Sequence, residues 1–168
     1  MSTHHYYTQH AQDFFQSTKD VDMAALHGPF LDGLPAGARI LDAGCGSGRD
    51  AKAFAALGHR VTAFDASPEL AALAREHSGL PVAVRRFDEV VEEGAYDAIW
   101  CCASLLHVPL AEMPQTLARL WRALRPGGRL YMSFKHGSGE RDHGGRRFTD
   151  ATEEDVKAWT AAWPQLER

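Results

Sequence analysis

The chain has 168 residues, of which 45% are apolar and 24% are charged. This composition is ordinary for a globular protein and excludes a disordered or collagen-like chain, and the length suits one domain. The net charge is −4 at neutral pH with histidine uncharged. Because non-specific nucleic-acid binding depends on an excess of Lys and Arg, this charge argues against a nucleic-acid partner.

The sequence shows no sign of a membrane or export segment. The longest mostly apolar stretch, residues 98–106, is far shorter than the ~18 residues that would span a bilayer, and the first residues lack a basic segment followed by an apolar run. The three cysteines, Cys45, Cys101 and Cys102, have no CxxC spacing, which fits reduced thiols in a cytoplasm better than disulfides. We expect a cytoplasmic protein without membrane contacts. We also expect a monomer or a weak dimer.

Short apolar runs alternate with helical segments along the chain. The predicted strands cover residues 38–42, 60–65, 82–87, 97–102 and 129–135. The predicted helices cover residues 8–18, 22–34, 49–57, 68–77, 111–124 and 152–163. A polar, glycine-rich loop is expected over residues 136–147.

This alternation predicts an α/β fold with a Rossmann-like, doubly wound parallel sheet of five strands. Right-handed crossovers place the carboxyl ends of the strands along one edge, and ligands bind at that edge where the strand order reverses. We interpret the chain as a single domain, with N-terminal cap helices in residues 1–36 and the Rossmann-like core in residues 37–168. The cap helices either pack on the core or form a lid over the site.

The strongest motif is LDAGCGSGRD, which places Gly44, Gly46 and Gly48 directly between a predicted strand and a predicted helix. Glycines there allow a sharp turn and a close approach of a ligand to the main chain. The helix N-terminus adds free N–H groups and partial positive charge, which suit a carboxylate or phosphate. A nicotinamide-dinucleotide fingerprint needs GxGxxG, and its last glycine would fall at Arg49. That alternative is therefore weakened but stays open.

Two acidic residues follow the next two predicted strands. Asp65 ends the second strand, where a carboxylate can accept hydrogen bonds from both hydroxyls of a ribose. The alternative role for Asp65 is a helix cap, for which Ser67 is better placed. Asp88 ends the third strand and either accepts the exocyclic amine of an adenine or caps a turn. Because successive strand ends meet at one edge, we expect these carboxylates to lie near the glycine motif.

The ordered set LDAGCGSGRD, VTAFDAS, RRFD, YDAIWCCASLLHV and LWRALRPGGRLYMSF resembles the class I S-adenosylmethionine-dependent methyltransferases. More narrowly, GCGSGRD, residues 7–15 and FKHGSGERDHGGRRFT resemble small bacterial tellurite-resistance-type methyltransferases. The family sheet has seven strands, whereas five are counted here. We interpret the chain as a C-terminally truncated fragment or a shortened variant, with residues 163–168 resembling the approach to a sixth strand.

The resemblance implies S-adenosylmethionine as cofactor and a small-molecule methyl acceptor, such as a chalcogen oxyanion or a thiol. It implies cofactor-binding positions at Asp42, Gly44, Gly46, Gly48, Arg49, Asp65, Ala66, Asp88, Glu89 and Cys102. In this assignment the glycine backbone holds the methionine part, and Asp42 orients the loop or reaches the amino group through water. Asp65 takes the ribose and Asp88 with Glu89 the adenine. Arg49 binds the methionine carboxylate or is a solvated first-turn side chain.

The sequence gives weaker evidence about the residues that would contact the methyl acceptor. His107 follows the fourth predicted strand and is the candidate general base, because histidine titrates near neutral pH, although it could equally be a packed or capping residue. No pair of residues has zinc-ligand spacing, so no metal site is expected. The charged loop at residues 136–147 either attracts an anionic substrate or is simply solvated. A cofactor-binding module without catalysis is a third functional hypothesis.

Overall fold

The computed structural model describes residues 2–163 and centres on a five-stranded parallel sheet. Its strands, followed by those of a separate hairpin, are β1 (Arg39–Ala43), β2 (Arg60–Asp65), β3 (Val82–Val84), β4 (Tyr96–Cys101), β5 (Leu124–Met132), β6 (Gly139–His143) and β7 (Arg146–Asp150). The helices are α1 (Thr3–Gln9), α2 (Ala11–Thr18), α3 (Ala24–Leu31), α4 (Arg49–Ala56), α5 (Pro68–Ser78), α6 (Met113–Ala123) and α7 (Glu153–Trp159).

The strand order in the sheet is β3-β2-β1-β4-β5, and every neighbouring pair is parallel. The chain therefore builds outward from β1 in one direction, then crosses back to place β4 on the other side of β1. This reversal between β1 and β4 is the place where ligands bind in doubly wound sheets. The predicted fold class is confirmed.

The central strand β4 is buried along its whole length. Its residues Ile99 and Cys101 belong to the core that contains Leu117 of α6. Its residue Trp100 packs on the opposite side against Phe54 of α4. Because alternate strand side chains point to opposite faces, helices must cover both faces of this sheet. The continuous apolar run that predicted this strand follows from that double coverage.

Residues 136–147, predicted as a loop, instead supply most of an antiparallel hairpin of β6 and β7. The loop prediction is therefore wrong over most of its length. Gly144 and Gly145 form the two-residue turn, with φ of +57° and +77°. Two successive residues at positive φ are typical of a type I′ hairpin turn, which matches the twist of the flanking strands. The Gly-Gly pair is the sequence signal that indicates this hairpin.

Other boundaries differ by smaller amounts. The N-terminal segment forms three helices rather than two, because α1 begins at Thr3, where the Ser2 hydroxyl caps it by accepting the His5 amide at 3.2 Å. The fifth strand begins at Leu124, five residues before its predicted start. The predicted approach to a sixth strand falls almost entirely on residues 164–168, outside the described residues. Within residues 2–163, none of the helices combines the length and hydropathy that crossing a bilayer requires.

Candidate active site

A cavity of about 1080 Å³ opens at the carboxyl edge of the sheet. Its walls come from the loop after β1, the ends of β2 and β4, the turn at Phe87–Glu89, α1 and α2, and β7. Of the sequence-predicted site residues, those on the wall are Gly44, Gly46, Arg49, Asp65, Ala66, Asp88, Glu89, Cys102 and His107. The fold thus brings together groups that are up to 63 positions apart in the sequence.

The loop after β1 brings main chain to the cavity wall at positions where little side chain fits. Gly44 has φ of +73°, and a Cβ on it would lie 2.5 Å from the Cβ of Ser104. Ser104 cannot easily move away, because its hydroxyl donates to the Ala43 carbonyl at 2.7 Å. A Cβ on Gly46 would lie 3.0 Å from the ring of Phe14. We conclude that glycine at position 44 is a steric requirement of the fold.

Asp65 at the end of β2 ties this loop to the next helix. Its Oδ2 accepts the Gly46 amide at 2.9 Å and its Oδ1 accepts the Ser67 amide at 2.9 Å. Burial raises the pKa of Asp65 above its ordinary value, although the two amides act in the opposite direction. Because a carboxylate offers about four lone-pair sites, each oxygen keeps further capacity to accept a hydrogen bond.

Asp88 and Glu89 lie in the single turn after β3 rather than at the strand end itself. The Arg86 side chain donates to both oxygens of Asp88 at 3.1 Å. The Arg86 amide donates to Glu89 at 2.8 Å. Asp88 and Arg86 are both exposed, so their ion pair is weak and readily exchanged. Phe87 between the two acids packs edge-on against Phe64 at 5.5 Å and anchors the turn.

Asp50, which the sequence analysis missed, organises the floor of the cavity. It accepts two hydrogen bonds from the Arg49 guanidinium, both at 3.0 Å, and further bonds from His27 at 2.8 Å and from the Trp100 indole at 2.9 Å. Although burial raises the pKa of Asp50, these donors outweigh it and hold the pKa below its ordinary value. An acid in the first turn of a helix was the available signal, but its partners come from distant positions.

Two predicted site residues lie behind the cavity rather than on its wall. Asp42 is buried in β1, and its Oδ2 has no hydrogen-bond partner within the described part of the chain. Burial, with the nearby charge of Asp50, raises the pKa of Asp42 well above its ordinary value. A Cβ on Gly48 would lie 3.1 Å from that of Ala74, so the absence of a side chain lets α4 pack closely on α5. Both residues therefore belong to the packing behind the cavity rather than to its wall.

His107 joins the far side of the cavity to the first helix. Its Nδ1 lies 2.7 Å from the Arg147 carbonyl oxygen, which can only accept, so Nδ1 carries the proton. Its Nε2 lies 2.8 Å from the Tyr7 hydroxyl and therefore accepts from it. Burial lowers the pKa of His107 to about 4. The imidazole is consequently neutral near pH 7, and its one lone pair is directed to Tyr7.

Helix α1 covers the cavity as a lid. Thr3, His4 and Tyr7 of this helix lie on the cavity wall. The Thr3 hydroxyl accepts the Arg147 amide at 2.8 Å, so the lid is attached to β7 as well as to His107. Of the two sequence-based interpretations, the structure favours the lid for α1.

The cysteines are poor candidates for a nucleophile. Cys45 and Cys101 are buried, and burial raises the pKa of both thiols well above the ordinary value. Cys102 is on the cavity wall, and burial also raises its pKa. Within residues 2–163, no three His, Cys, Asp or Glu side chains are grouped so that they could hold a metal ion.

The sequence profile of the family described as "Methyltransferase domain" matches residues 40–128, more than half of the chain. The chain belongs to this methyltransferase family. The chain is also similar to 1,6-didemethyltoxoflavin-N1-methyltransferase from Burkholderia thailandensis, whose crystal structure contains 1,6-didemethyltoxoflavin and S-adenosylhomocysteine. The two chains are 30% identical with a TM-score of 0.67, and the match covers 96% of this chain and 79% of the Burkholderia chain. The fold and these matches are those of the class I methyltransferases, a family whose cofactor is S-adenosylmethionine.

The chain is also similar in sequence to curated methyltransferases. A ubiquinone biosynthesis O-methyltransferase from Xanthomonas axonopodis pv. citri is 42% identical over 107 residues, which are 59% of this chain and 44% of the relative. The chain therefore spans less than half the length of the curated relatives it matches. A TehB-like S-adenosylmethionine-dependent methyltransferase from Corynebacterium glutamicum has a TM-score of 0.67 at 23% identity and covers 94% of this chain and 80% of that one. At that identity the likeness concerns the fold alone.

Proposed function

We propose that the chain is an S-adenosylmethionine-dependent methyltransferase that acts on a small-molecule acceptor. The observation that carries this proposal is the convergence of the glycine loop, Asp65 and Asp88 on one cavity from three separate segments. The family match supports it. The cavity volume of about 1080 Å³ also supports it, since small-ligand sites typically occupy about 300–1,000 Å³ and this site must hold a cofactor beside an acceptor.

When bound, S-adenosylmethionine supplies a sulfonium methyl group, which is a strong electrophile. We assign its methionine part to the backbone of Gly44 and Gly46, where added side chains would collide with neighbours. Asp65 is assigned to the ribose, because both of its oxygens keep acceptor capacity beyond the two amide bonds. Asp88 and Glu89 are assigned to the adenine, where the exposed Arg86 contacts can be exchanged for contacts to a ligand.

Four further assignments complete the cofactor site. Ala66 and Cys102 contribute wall surface. Arg49 is assigned to the methionine carboxylate, with its guanidinium held in place by Asp50. Asp42 is assigned to the loop, which it orients, or to the amino group through water. Its buried, unpartnered Oδ2 supports this role, because buried acceptors in proteins are nearly always paired.

At the other end of the cavity, we propose that His107 acts through Tyr7 rather than on the acceptor directly. A proton from an acceptor hydroxyl or amine would pass to Tyr7 Oη while the Tyr7 proton moves to Nε2 of His107. A histidine with a pKa of about 4 is a weak base. A soft nucleophile that needs no proton removal is therefore the favoured acceptor, and holding it in line behind the methyl group is worth roughly 7–11 kcal/mol.

The acceptor classes follow from this argument. We propose a chalcogen oxyanion or a thiolate first, in keeping with the resemblance to tellurite-resistance-type methyltransferases. An oxygen or nitrogen acceptor comes second, supported by the names of the relatives, which are an O-methyltransferase and an N1-methyltransferase. A cytoplasmic location and a monomer or weak dimer stay predictions.

Methyl transfer is tested by incubating the full chain with S-adenosylmethionine carrying a tritiated methyl group and, separately, with selenite, tellurite, a low-molecular-weight thiol and a phenol. We expect labelled product with at least one of the first three and much less with Asp65→Ala. Binding of S-adenosylhomocysteine without transfer to any acceptor would favour the non-catalytic module. Binding of NADH in place of S-adenosylhomocysteine would favour the nicotinamide-dependent oxidoreductase.

A further inference from the structure

The acceptor end of the cavity contains an unusual group of cations around one ring. Lys135 Nζ lies 4.7 Å, Arg141 Cζ 4.8 Å and Arg146 Cζ 5.2 Å from the centre of the Phe148 ring. We call these residues the Phe148 cation cluster. The imidazole of His107 packs on the same ring at 5.0 Å. Lys135, Arg146 and Phe148 lie on the cavity wall, whereas Arg141 does not.

The members of this cluster differ in whether their charge is neutralised. Arg141 donates to both oxygens of Asp150, at 2.6 and 3.2 Å. Neither Lys135 nor Arg146 takes part in any ion pair formed within residues 2–163. Two positive charges therefore face the acceptor end without a carboxylate to balance them. Such charges attract and orient an anion.

Arg146 has a second property that indicates a ligand. Its Nε is buried and has no hydrogen-bond partner in the described chain, although Nε–H is an obligatory donor. The Cζ of the guanidinium lies 4.7 Å from the centre of the Tyr6 ring and 5.2 Å from that of Phe148, and these two contacts restrict its orientation. A planar guanidinium held in this way is suited to bind a carboxylate or another oxyanion through two parallel N–H donors.

We infer that the methyl acceptor carries an oxyanion, bound by Arg146 with Lys135 beside it. The group is either the carboxylate of an organic acceptor or an inorganic oxyanion that is itself methylated. This inference rests on the proposed methyltransferase function, because it concerns the acceptor end of the same cavity. It assigns substrate recognition to Arg146 in β7 and to Lys135 in the segment before β6. The sequence had placed Arg146 in a predicted loop and Lys135 at the end of the fifth predicted strand.

The test uses full-length protein saturated with S-adenosylhomocysteine and two probes, sodium selenite and sodium benzoate, at constant ionic strength. The readout is the side-chain Nε–Hε resonance of Arg146 in ¹H–¹⁵N spectra, assigned by its loss in Arg146→Lys. We expect one or both probes to shift this resonance saturably, with a Kd below about 10 mM. Selenite alone would indicate an inorganic oxyanion, benzoate alone an organic carboxylate, and both the shared chemistry.

Two variants separate a specific site from diffuse charge. Arg146→Ala is expected to weaken probe binding at least about tenfold. Arg147→Ala removes the same charge one position away, where the side chain is exposed. This variant is expected to change the Kd of the probe less than about twofold. If Arg146→Ala fails to fold, Arg146→Lys serves instead, since it keeps the charge and loses the buried Nε–H.

The possible failures are distinguishable. Binding of S-adenosylhomocysteine without any shift of the Arg146 resonance would overturn the inference alone. Equal losses in Arg146→Ala and Arg147→Ala would overturn it as well, because the anion would then be responding to general charge. Failure of the wild-type chain to bind S-adenosylhomocysteine would instead overturn the proposed function.

Discussion

The two ends of the cavity are built in different ways. The cofactor end is made by the glycine loop, Asp65 and the turn at Phe87–Glu89, all of which lie at or shortly after the carboxyl ends of strands of the central sheet. The acceptor end is made by α1, His107 and β7. These meet through hydrogen bonds between distant segments, such as the 2.8 Å bond between Tyr7 and His107, 100 positions apart. The strand order alone positions the first end, whereas the second depends on tertiary contacts.

The family comparison follows this division in part. The matching region, residues 40–128, contains the whole cofactor end and His107 but neither α1 nor β7. A shared sheet with a common cofactor can therefore carry different acceptor ends, since function is determined by sites attached to a fold. If the two ends are independent, a substitution at one end should leave the properties of the other end unchanged.

The largest effect is expected at the glycine loop. Gly44→Ala should lower the free energy of unfolding by about 3 kcal/mol or more, because a Cβ there meets Ser104 at 2.5 Å in addition to the strain of positive φ. The matched control is Gly58→Ala, which has φ of +89° and nothing within 4 Å, and should cost only about 1 kcal/mol. Urea denaturation measures both, and equal losses would show that the contact with Ser104 is unimportant.

The next effect concerns the acceptor end and depends on pH. The folded pKa of His107 is about 4, below the ordinary value of 6.5. As the pH falls below 6.5, His107 takes up a proton in the unfolded chain before it does so in the folded chain. The contribution of neutral His107 to the free energy of unfolding is therefore complete above pH 6.5 and is lost progressively down to about pH 4. His107→Asn keeps a donor for the Arg147 carbonyl but does not titrate. It should reduce the loss of unfolding free energy between pH 7 and 4 by up to about 3 kcal/mol.

Denaturation at several pH values measures this difference. The affinity for S-adenosylhomocysteine at pH 7 should stay within about twofold of wild type, since His107 belongs to the acceptor end. A pH profile of stability identical to that of the wild type would contradict the buried, neutral state assigned to His107.

A smaller effect is expected at the ribose position. Asp65→Ala should weaken the binding of S-adenosylhomocysteine at least about tenfold, because two ribose hydroxyls lose a charged partner worth about 1.5 kcal/mol or more together. Asp142→Ala removes an exposed carboxylate from the hairpin and should leave the affinity unchanged. Isothermal calorimetry measures both variants, and an unaltered affinity in Asp65→Ala would remove that residue from the proposed site.

The smallest effect is expected from the lid. Tyr7→Phe removes the hydroxyl that donates a hydrogen bond to Nε2 of His107 and leaves this partly buried nitrogen unpaired. The loss should cost about 1 kcal/mol of stability. Thermal denaturation measures this loss. If Tyr7→Phe matched the wild type in stability, the contact between α1 and His107 would be incidental.

The sequence could predict the cofactor end of the cavity but not the acceptor end. Apolar runs separated by turns predicted the sheet, because a strand buried on both faces must be continuously apolar, and residues after parallel strands must share an edge. The position of Asp65 at the cavity followed from this geometry. Nothing comparable links Tyr7, His107 and Arg147, since a single hydrogen bond between distant segments leaves no periodicity in the chain.

Two features of the site lay within reach of the sequence and were still missed. The hairpin of β6 and β7 had a signal in its Gly-Gly turn, but its strands are rich in charged residues and resemble a solvated loop. Asp50 stood in the first turn of a helix, yet its importance comes from His27 and Trp100, which donate to it from other elements. The hairpin was therefore missed because the composition of its strands is typical of a loop. The role of Asp50 was missed because it depends on residues that are close only in the folded chain.

The central claim, that this cavity is built for S-adenosylmethionine, is tested most directly by calorimetric titration of the full chain with S-adenosylhomocysteine and, in parallel, with NADH. The account predicts one molecule of S-adenosylhomocysteine bound per chain, with a Kd of roughly micromolar order, and no heat of binding from NADH. Saturable binding of NADH together with no binding of S-adenosylhomocysteine would contradict it.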